Sequence, residues 1–346
     1  MRTDELDFDL PPELIAQTPP ERRSESRLLH YRIADGSVEH RTFSDLPRLL
    51  RAGDLLVFND ARVIPARFTL RKDTGGRIEG LFLSENGPGE WKVLIKGLGR
   101  GTPAAMRFAD DPAVTMRVLE KGGGGEYRVA VMPAEPAPRL LERLGRMPLP
   151  PYIRREKEHD ERDELDRARY QTVFAKAPGA VAAPTAALHF TPELLDAISA
   201  HGVERAFVTL HVGMGTFKPV TTETLEGHAM HVESYSISSE AADALNRAKA
   251  EARRIVAVGT TSARVLESQP GDRPFEAKTG ETGIFIYPPY RFRHVGALVT
   301  NFHLPRSTLI ALVAAMTGLE EQRRLYRIAI ENNYRFFSYG DAMLIE

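Results

Sequence analysis

Between about Ile64 and Gly145 the chain adopts a two-residue hydrophobic period. Trp91, Val93 and Ile95 in EWKVLIK, Val114, Met116 and Val118 in VTMRVLE, and Tyr127, Val129 and Val131 in EYRVAVM each fall on one face of an extended segment. That period belongs to half-buried strands. Thr74-Gly75-Gly76, Asn86-Gly87-Pro88-Gly89 and the run Gly122–Gly125 separate the segments. Short strands spaced this way predict a small barrel or sandwich. The four glycines are followed by neither a Lys-Ser/Thr pair nor a helix, so they predict a hairpin turn and no phosphate cradle.

The flanking sequence follows another rule. Before the insert come a proline-rich extended entry, a short helix around Phe43–Leu50 and a buried strand, Asp54–Phe58. After it, strands are predicted at Ala206–Val212, Arg254–Val258 and Ala297–Thr300, and helices at Thr191–Ala200, Ser239–Ala252 and Leu309–Met316. Alternating strands and helices predict an α/β fold. The expected organisation is a discontinuous α/β domain, residues 1–63 plus 148–346, interrupted by an antiparallel β domain, residues 64–147.

Composition narrows the chemistry. The 346 residues include no cysteine, which excludes thiolate nucleophiles, Cys-ligated zinc and iron–sulfur clusters. With 46 basic and 47 acidic side chains, RNA binding requires a local patch and not a general field. The acidic, proline-broken start predicts neither a signal nor a transit peptide. The longest apolar run, Leu309–Met316, is well short of the ~20 residues a bilayer crossing needs, so a cytoplasmic protein is expected.

In α/β sheets, ligands collect beyond the carboxyl ends of strands. Four polar exits stand there: Asn59-Asp60-Ala61-Arg62, His211 running into Gly213-Met-Gly215-Thr216-Phe217, Gly259-Thr260-Thr261-Ser262-Ala263-Arg264, and Asn301-Phe302-His303. Taken singly, each is explained by turn and helix-cap chemistry. Together they predict one shared pocket. Gly213-x-Gly215 lacks the third glycine of a dinucleotide fingerprint, and no Gly-Lys-Ser/Thr occurs. His228, His231 and Glu233 offer zinc-type donors, which would suit a metal-dependent hydrolase. If that stretch is extended, His231 and Glu233 share a face and His228 points away. Imidazoles serving as proton shuttles or hydrogen-bond partners are the competing reading, and His189 is equally explained as a structural group. Aromatic and basic residues interleave at Tyr287–His294 and Asn332–Tyr339, a pattern that suits single-stranded RNA or, as readily, a core with solvated arginines.

The ordered set of segments resembles one family, the S-adenosylmethionine:tRNA ribosyltransferase-isomerases of queuosine biosynthesis. The matching segments include FDLPPELIAQ (Phe8–Gln17), GDLLVFNDARVIPAR (Gly53–Arg67), RMPLPPYIRR (Arg146–Arg155), DRARYQTVFA (Asp166–Ala175) and GAVAAPTAALHFT (Gly179–Thr191). VTLHVGMGTFKPV (Val208–Val220), HAMHVE (His228–Glu233), VGTTSARVLES (Val258–Ser268), TNFHLPRSTL (Thr300–Leu309) and YRFFSYGDAMLI (Tyr334–Ile345) follow in order. The sequence departs from the family pattern at Ala61, Ala187, Pro289 and Gly296. The resemblance implies an α/β domain interrupted by a small β-barrel. It also implies transfer of the ribosyl unit of S-adenosylmethionine to 7-aminomethyl-7-deazaguanine at the tRNA wobble position. The sugar isomerises to give epoxyqueuosine, and adenine and methionine are released. S-adenosylmethionine is then a ribosyl-donor substrate, no metal is expected, and the expected working form is a monomer.

That reaction needs a base beside the sulfonium, a donor for departing adenine, a neutral amine and a seat for the methionine carboxylate. The expected proton-transfer groups are His211, His231 and His303, with Asp60 and Glu233 orienting them or acting as bases. Thr260, Thr261 and Ser262, with Gly213, Gly215, Thr216, His189 and Asn301, are expected to line the substrate, and Arg264 or Arg62 to supply countercharge. Tyr290, Arg291 and Arg293 are the expected RNA contacts. The remaining alternative is a non-catalytic RNA-binding protein, whose β insert would be an oligonucleotide-binding barrel.

Overall fold

Leu55–Asn59 is a strand in which every residue is buried, because its alternate side chains enter two different cores. Leu55 and Val57 join a cluster with Val208, Leu210, Ala257 and Leu298, whereas Leu56 and Phe58 join one with Val256, Val258, Val299 and Leu344. A continuous apolar run is what a strand covered on both faces requires. Each such side chain contributes about 1.5–3 kcal/mol by leaving water.

The computed structural model describes residues 1–98, 105–156, 160–213 and 219–346. Its strands are β1 Arg27–Arg32, β2 Ser37–Thr42, β3 Leu55–Asn59, β4 Ala61–Val63, β5 Arg67–Lys72, β6 Arg77–Gly87, β7 Glu90–Lys96, β8 Met106–Phe108 and β9 Thr115–Lys121. They continue as β10 Glu126–Met132, β11 Ala177–Ala180, β12 Glu204–Leu210, β13 Glu233–Ile237, β14 Ile255–Val258, β15 Lys278–Thr282, β16 Ala297–Asn301 and β17 Ala342–Ile345.

Two compact units result: Met1–Arg62 with Pro150–Arg154 and Gln171–Glu346, and Val63–Leu149 with Arg155–Tyr170. The sequence boundary for the insert was 64–147. The contact pattern adds Arg155–Tyr170, where Arg155 forms a buried ion pair with Asp166 at 2.5 Å.

Among the described residues the first unit has a mixed sheet in the order β15-β13-β12-β3-β14-β16-β17-β1-β2. Its centre, β12-β3-β14-β16, is parallel throughout. β13 runs antiparallel to β12, and β17 antiparallel to β16. The α/β expectation is met, and the segment before the insert contributes three sheet strands, where one was anticipated. Helices start where side chains satisfy their free N–H groups. Thr191 accepts from Leu194 N–H at 3.2 Å, Ser238 from Ala241 N–H at 3.2 Å and Ser307 from Ile310 N–H at 3.3 Å. Helices accordingly occupy Pro192–Ala200, Ser239–Ala250 and Thr308–Thr317.

The second unit contains a closed antiparallel barrel, β10-β7-β6-β5-β8-β9. Its interior holds Phe68, Phe82, Trp91 and Phe108, with Phe82 edge-on to Trp91 at 5.2 Å. Gly122 N–H donates to Glu126 O at 2.8 Å, which closes the β9–β10 hairpin at the glycine run.

Candidate active site

The parallel register puts the carboxyl ends of β12, β3, β14 and β16 side by side. His211, Asp60, Gly259 and Asn301 therefore emerge at one edge, as the four polar exits predicted. Antiparallel β13 begins at that edge with Glu233, and β17 begins there next to Asn301.

Asn59 holds two of these exits in register. Its Nδ2 donates to Leu210 O at 3.1 Å, and its Oδ1 accepts from the N–H groups of Leu210 and Ala61, both at 3.0 Å. Asp60 accepts from the Thr209 hydroxyl at 2.6 Å. His211 is half-buried, and among the described residues its buried Nδ1 has no hydrogen-bond partner. Burial pushes this imidazole below its usual range, while the Asp60 charge opposes that shift. The ring lies against Gly179, whose φ of +132° disfavours a side chain; an added Cβ would sit 3.2 Å from His211 Nδ1.

Glu233 accepts from Gly213 N–H at 2.9 Å and from Arg264 Nη1. Both partners of that ion pair are buried, and among the described residues Arg264 Nη2 has no partner. Arg264 lies on the helix Gly259–Glu267, which opens directly from β14 without a side-chain cap. Gly259 makes the sharp entry with φ +86°. The first N–H groups of this helix face the rim, an arrangement that favours anions. Ser262 does not join them; its hydroxyl donates to Val258 O at 2.9 Å.

Ala182–Ala186, Val212, Thr260, Thr261, Thr300, Asn301 and His303 line a cleft at this edge. It encloses about 40 Å³, room for a water or two, so a ligand enters it with one end only. Two of its buried polar atoms, Thr261 Oγ1 and Asn301 Oδ1, have no partner among the described residues. Asn301 Nδ2 donates to Phe337 O at 3.1 Å and lies 3.2 Å from His189 Nε2. Since that amide nitrogen only donates, His189 Nε2 accepts, and Nδ1 carries the proton given to Ser26 Oγ at 2.9 Å. His303 Nε2 pairs with the Thr300 hydroxyl at 2.7 Å. Burial lowers both His189 and His303 to about 3, so both rings are neutral at ordinary pH.

Other expected residues lie elsewhere. His231 is exposed, and His228, partly buried, packs on Phe285 at 5.5 Å. Because the strand starts only at Glu233, the alternation does not reach back to place His231 beside that carboxylate. Among the described residues no group of three or more His, Asp or Glu side chains is arranged to hold a metal ion. Arg62 is exposed on β4. Tyr290 OH donates to Glu267 Oε2 at 3.0 Å, and Arg293 donates to the Glu267 backbone O at 2.5 Å. Glu267 ends the helix that starts at the rim, and Val295, just before β16, donates to the same carboxylate. Tyr290 and Arg293 thus sit at the opposite, amino edge of the sheet. Arg291 is exposed nearby. Gly215 and Thr216 fall outside the described residues. Sequence reasoning missed Asn59 as a register clamp and Thr300 as the partner of His303; each stands at the end of a buried strand.

The chain is similar over its whole length to known proteins. Residues 3–345 match the family model described as queuosine biosynthesis protein. An S-adenosylmethionine:tRNA ribosyltransferase-isomerase of Thiobacillus denitrificans is 51% identical over 100% of this chain and 98% of its own length. One from Geobacter metallireducens is 49% identical over 100% of both chains. The crystal structure of S-adenosylmethionine tRNA ribosyltransferase from Thermotoga maritima is 35% identical, with a TM-score of 0.55 over 99% of this chain and 100% of that one. With one sheet edge gathering its polar exits and full-length similarity to these proteins, the chain belongs to the queuosine biosynthesis protein family.

Proposed function

We propose that the chain transfers and isomerises the ribosyl unit of S-adenosylmethionine onto 7-aminomethyl-7-deazaguanine at the wobble position of tRNA. The products are epoxyqueuosine-tRNA, adenine and methionine. Full-length identity of 51% to a protein of that name carries the reading, and the buried unpartnered groups at the rim support it.

The sulfonium of S-adenosylmethionine acidifies the carbon-bound protons beside it. His211 is assigned as the base. Its depressed affinity for protons keeps it unprotonated at neutral pH, and the nearby Asp60 charge favours the imidazolium once a proton has moved. His303, neutral and tied to Thr300, is assigned as a hydrogen-bond partner for the departing base and not as a pre-protonated acid. Arg264 Nη2, the first turn of the helix Gly259–Glu267 and the Thr261 hydroxyl suit the carboxylate or hydroxyl end of the donor. Glu233 holds Arg264 in place. Every group named comes from one unit of one chain, so a monomer is the proposed working form. Among the described residues no helix is long and apolar enough to cross a membrane. Action on tRNA in the cytoplasm is proposed accordingly.

The test mixes purified protein with S-adenosylmethionine and tRNA carrying the precursor base. Adenine and methionine are followed by chromatography, and the nucleoside by mass spectrometry. His211→Ala should reduce adenine release at least a hundredfold with little change in tRNA affinity. tRNA retention by the wild type without any turnover would overturn the reading in favour of a non-catalytic RNA binder.

A further inference from the structure

Strand geometry places Arg205, Phe207 and Thr209 on the same face of β12, in steps of about 6.8 Å. They form the wall of a groove of about 550 Å³, completed by Asp60, Phe174 and Lys176. Phe174 and Phe207 are each only partly buried, with ring centroids 5.3 Å apart and planes inclined at 59°, forming an aromatic corner backed by Phe58. At one end stands Asp60, whose carboxylate the Thr209 hydroxyl orients at 2.6 Å. At the other stands Arg205, which makes no ion pair or side-chain hydrogen bond among the described residues. Lys176 is exposed on the same groove, faced by the exposed carboxylate of Glu240 on the far rim.

We propose that this groove seats one nucleotide of the RNA substrate, an aminoalkyl-bearing purine-like base with its own phosphate. The inference rests on the ribosyl-transfer reading and adds the place where the acceptor base is held. The base stacks on Phe207, with the inclined Phe174 ring against its edge, a contact open to any flat ring system. Its amine reaches Asp60, the residue shared with the rim that carries His211. The phosphate meets Arg205 one rung beyond Phe207, with Lys176 as second cation. A groove with a carboxylate at one end, rings in the middle and an unpaired guanidinium at the other matches that ligand group for group. S-adenosylmethionine has no phosphate to answer Arg205.

The test measures binding of two labelled anticodon stem-loops, one with 7-aminomethyl-7-deazaguanine at the wobble position and one with guanine, across a salt series. Wild type should prefer the aminomethyl stem-loop, and Asp60→Asn should abolish that preference while leaving affinity for the guanine form. Phe207→Leu should weaken both at least tenfold, and Phe207→Tyr should restore binding. Arg205→Ala should weaken both and reduce the log–log salt slope by about 0.7. Thermal midpoints within a few degrees of wild type exclude misfolding as the cause. Wild-type RNA affinity in Phe207→Leu and Arg205→Ala would overturn the groove assignment, as would a loss confined to the KM for S-adenosylmethionine. Turnover by the wild type is read separately, so the groove can fail while the ribosyl-transfer reading stands.

Discussion

Arg264 is only 6% exposed, yet among the described residues one of its two terminal nitrogens has no partner. Glu233 neutralises the charge, and on the proposed function the other half of the guanidinium fork meets the carboxylate of the donor. Arg264→Lys should therefore keep the fold and raise the KM for S-adenosylmethionine tenfold or more. Arg264→Met strips a buried carboxylate of its counterion and should cost about 3–5 kcal/mol in urea unfolding. The histidines set a different signature. His189 and His303 are lowered to about 3 by burial, against ~6.5 for a free imidazole. On acidification the unfolded chain takes up these protons first. Stability is therefore complete above about pH 6.5 and falls as pH drops from there towards 3, by about 1.4 kcal/mol per pH unit for each ring. Urea unfolding between pH 7 and 4 should show that slope, and His303→Asn should remove one ring's share. An unchanged slope would mean that His303 is not held neutral.

Among the elements, the helix Gly259–Glu267 binds both ends of the sheet to its function. Its first turn faces the rim with Thr261, and its last residue, Glu267, fastens Tyr290, Arg293, His294 and Val295. Thr261→Val removes a buried hydroxyl that has no partner among the described residues, so stability should hold or rise by up to about 1 kcal/mol. If that hydroxyl serves the donor, the KM for S-adenosylmethionine should nonetheless increase. A parallel drop in stability and affinity would make the hydroxyl structural. This helix also shows what could be read in advance. The rim was legible because polar residues directly followed apolar runs, and a parallel sheet turns such endings into neighbours. The reach of Glu267 was not, because a carboxylate accepting from Val295 leaves no local trace at positions 290–295. Tyr290 and Arg293 carry the residue types of an RNA face, and both are tied to Glu267 at the other edge of the sheet. Strand β17 escaped notice because a four-residue apolar run such as Ala342–Ile345 has no distinguishable period, and β1 because four buried residues in a row, His30 among them, break the alternation of a strand. In β12, the alternation of Arg205, Phe207 and Thr209 is hidden by the apolar residues Ala206, Val208 and Leu210 between and after them, which make the strand read as buried throughout.

At the level of the whole chain, two units have separate interiors, one built on a sheet with two clusters and the other on rings inside a barrel. Calorimetry should resolve two transitions, since separate cores relax the two-state approximation. S-adenosylmethionine at a hundred times its dissociation constant should add about 2.7 kcal/mol to the transition of the α/β unit and leave that of the barrel in place. A shift of the barrel transition alone would move the donor site away from the rim.

The order of strands in the large sheet carries a consequence for how the protein is made. β17 lies between β16 and β1, and Asp341, just ahead of it, accepts from the Arg27 backbone across 314 positions of sequence. During synthesis, β1 and β2 emerge early and have no place to dock until the segment bearing β17 has left the ribosome. Apolar Leu28, Leu29 and Tyr31 must wait uncovered through most of translation, a window in which a nascent chain depends on chaperones and in which slowed elongation would favour aggregation.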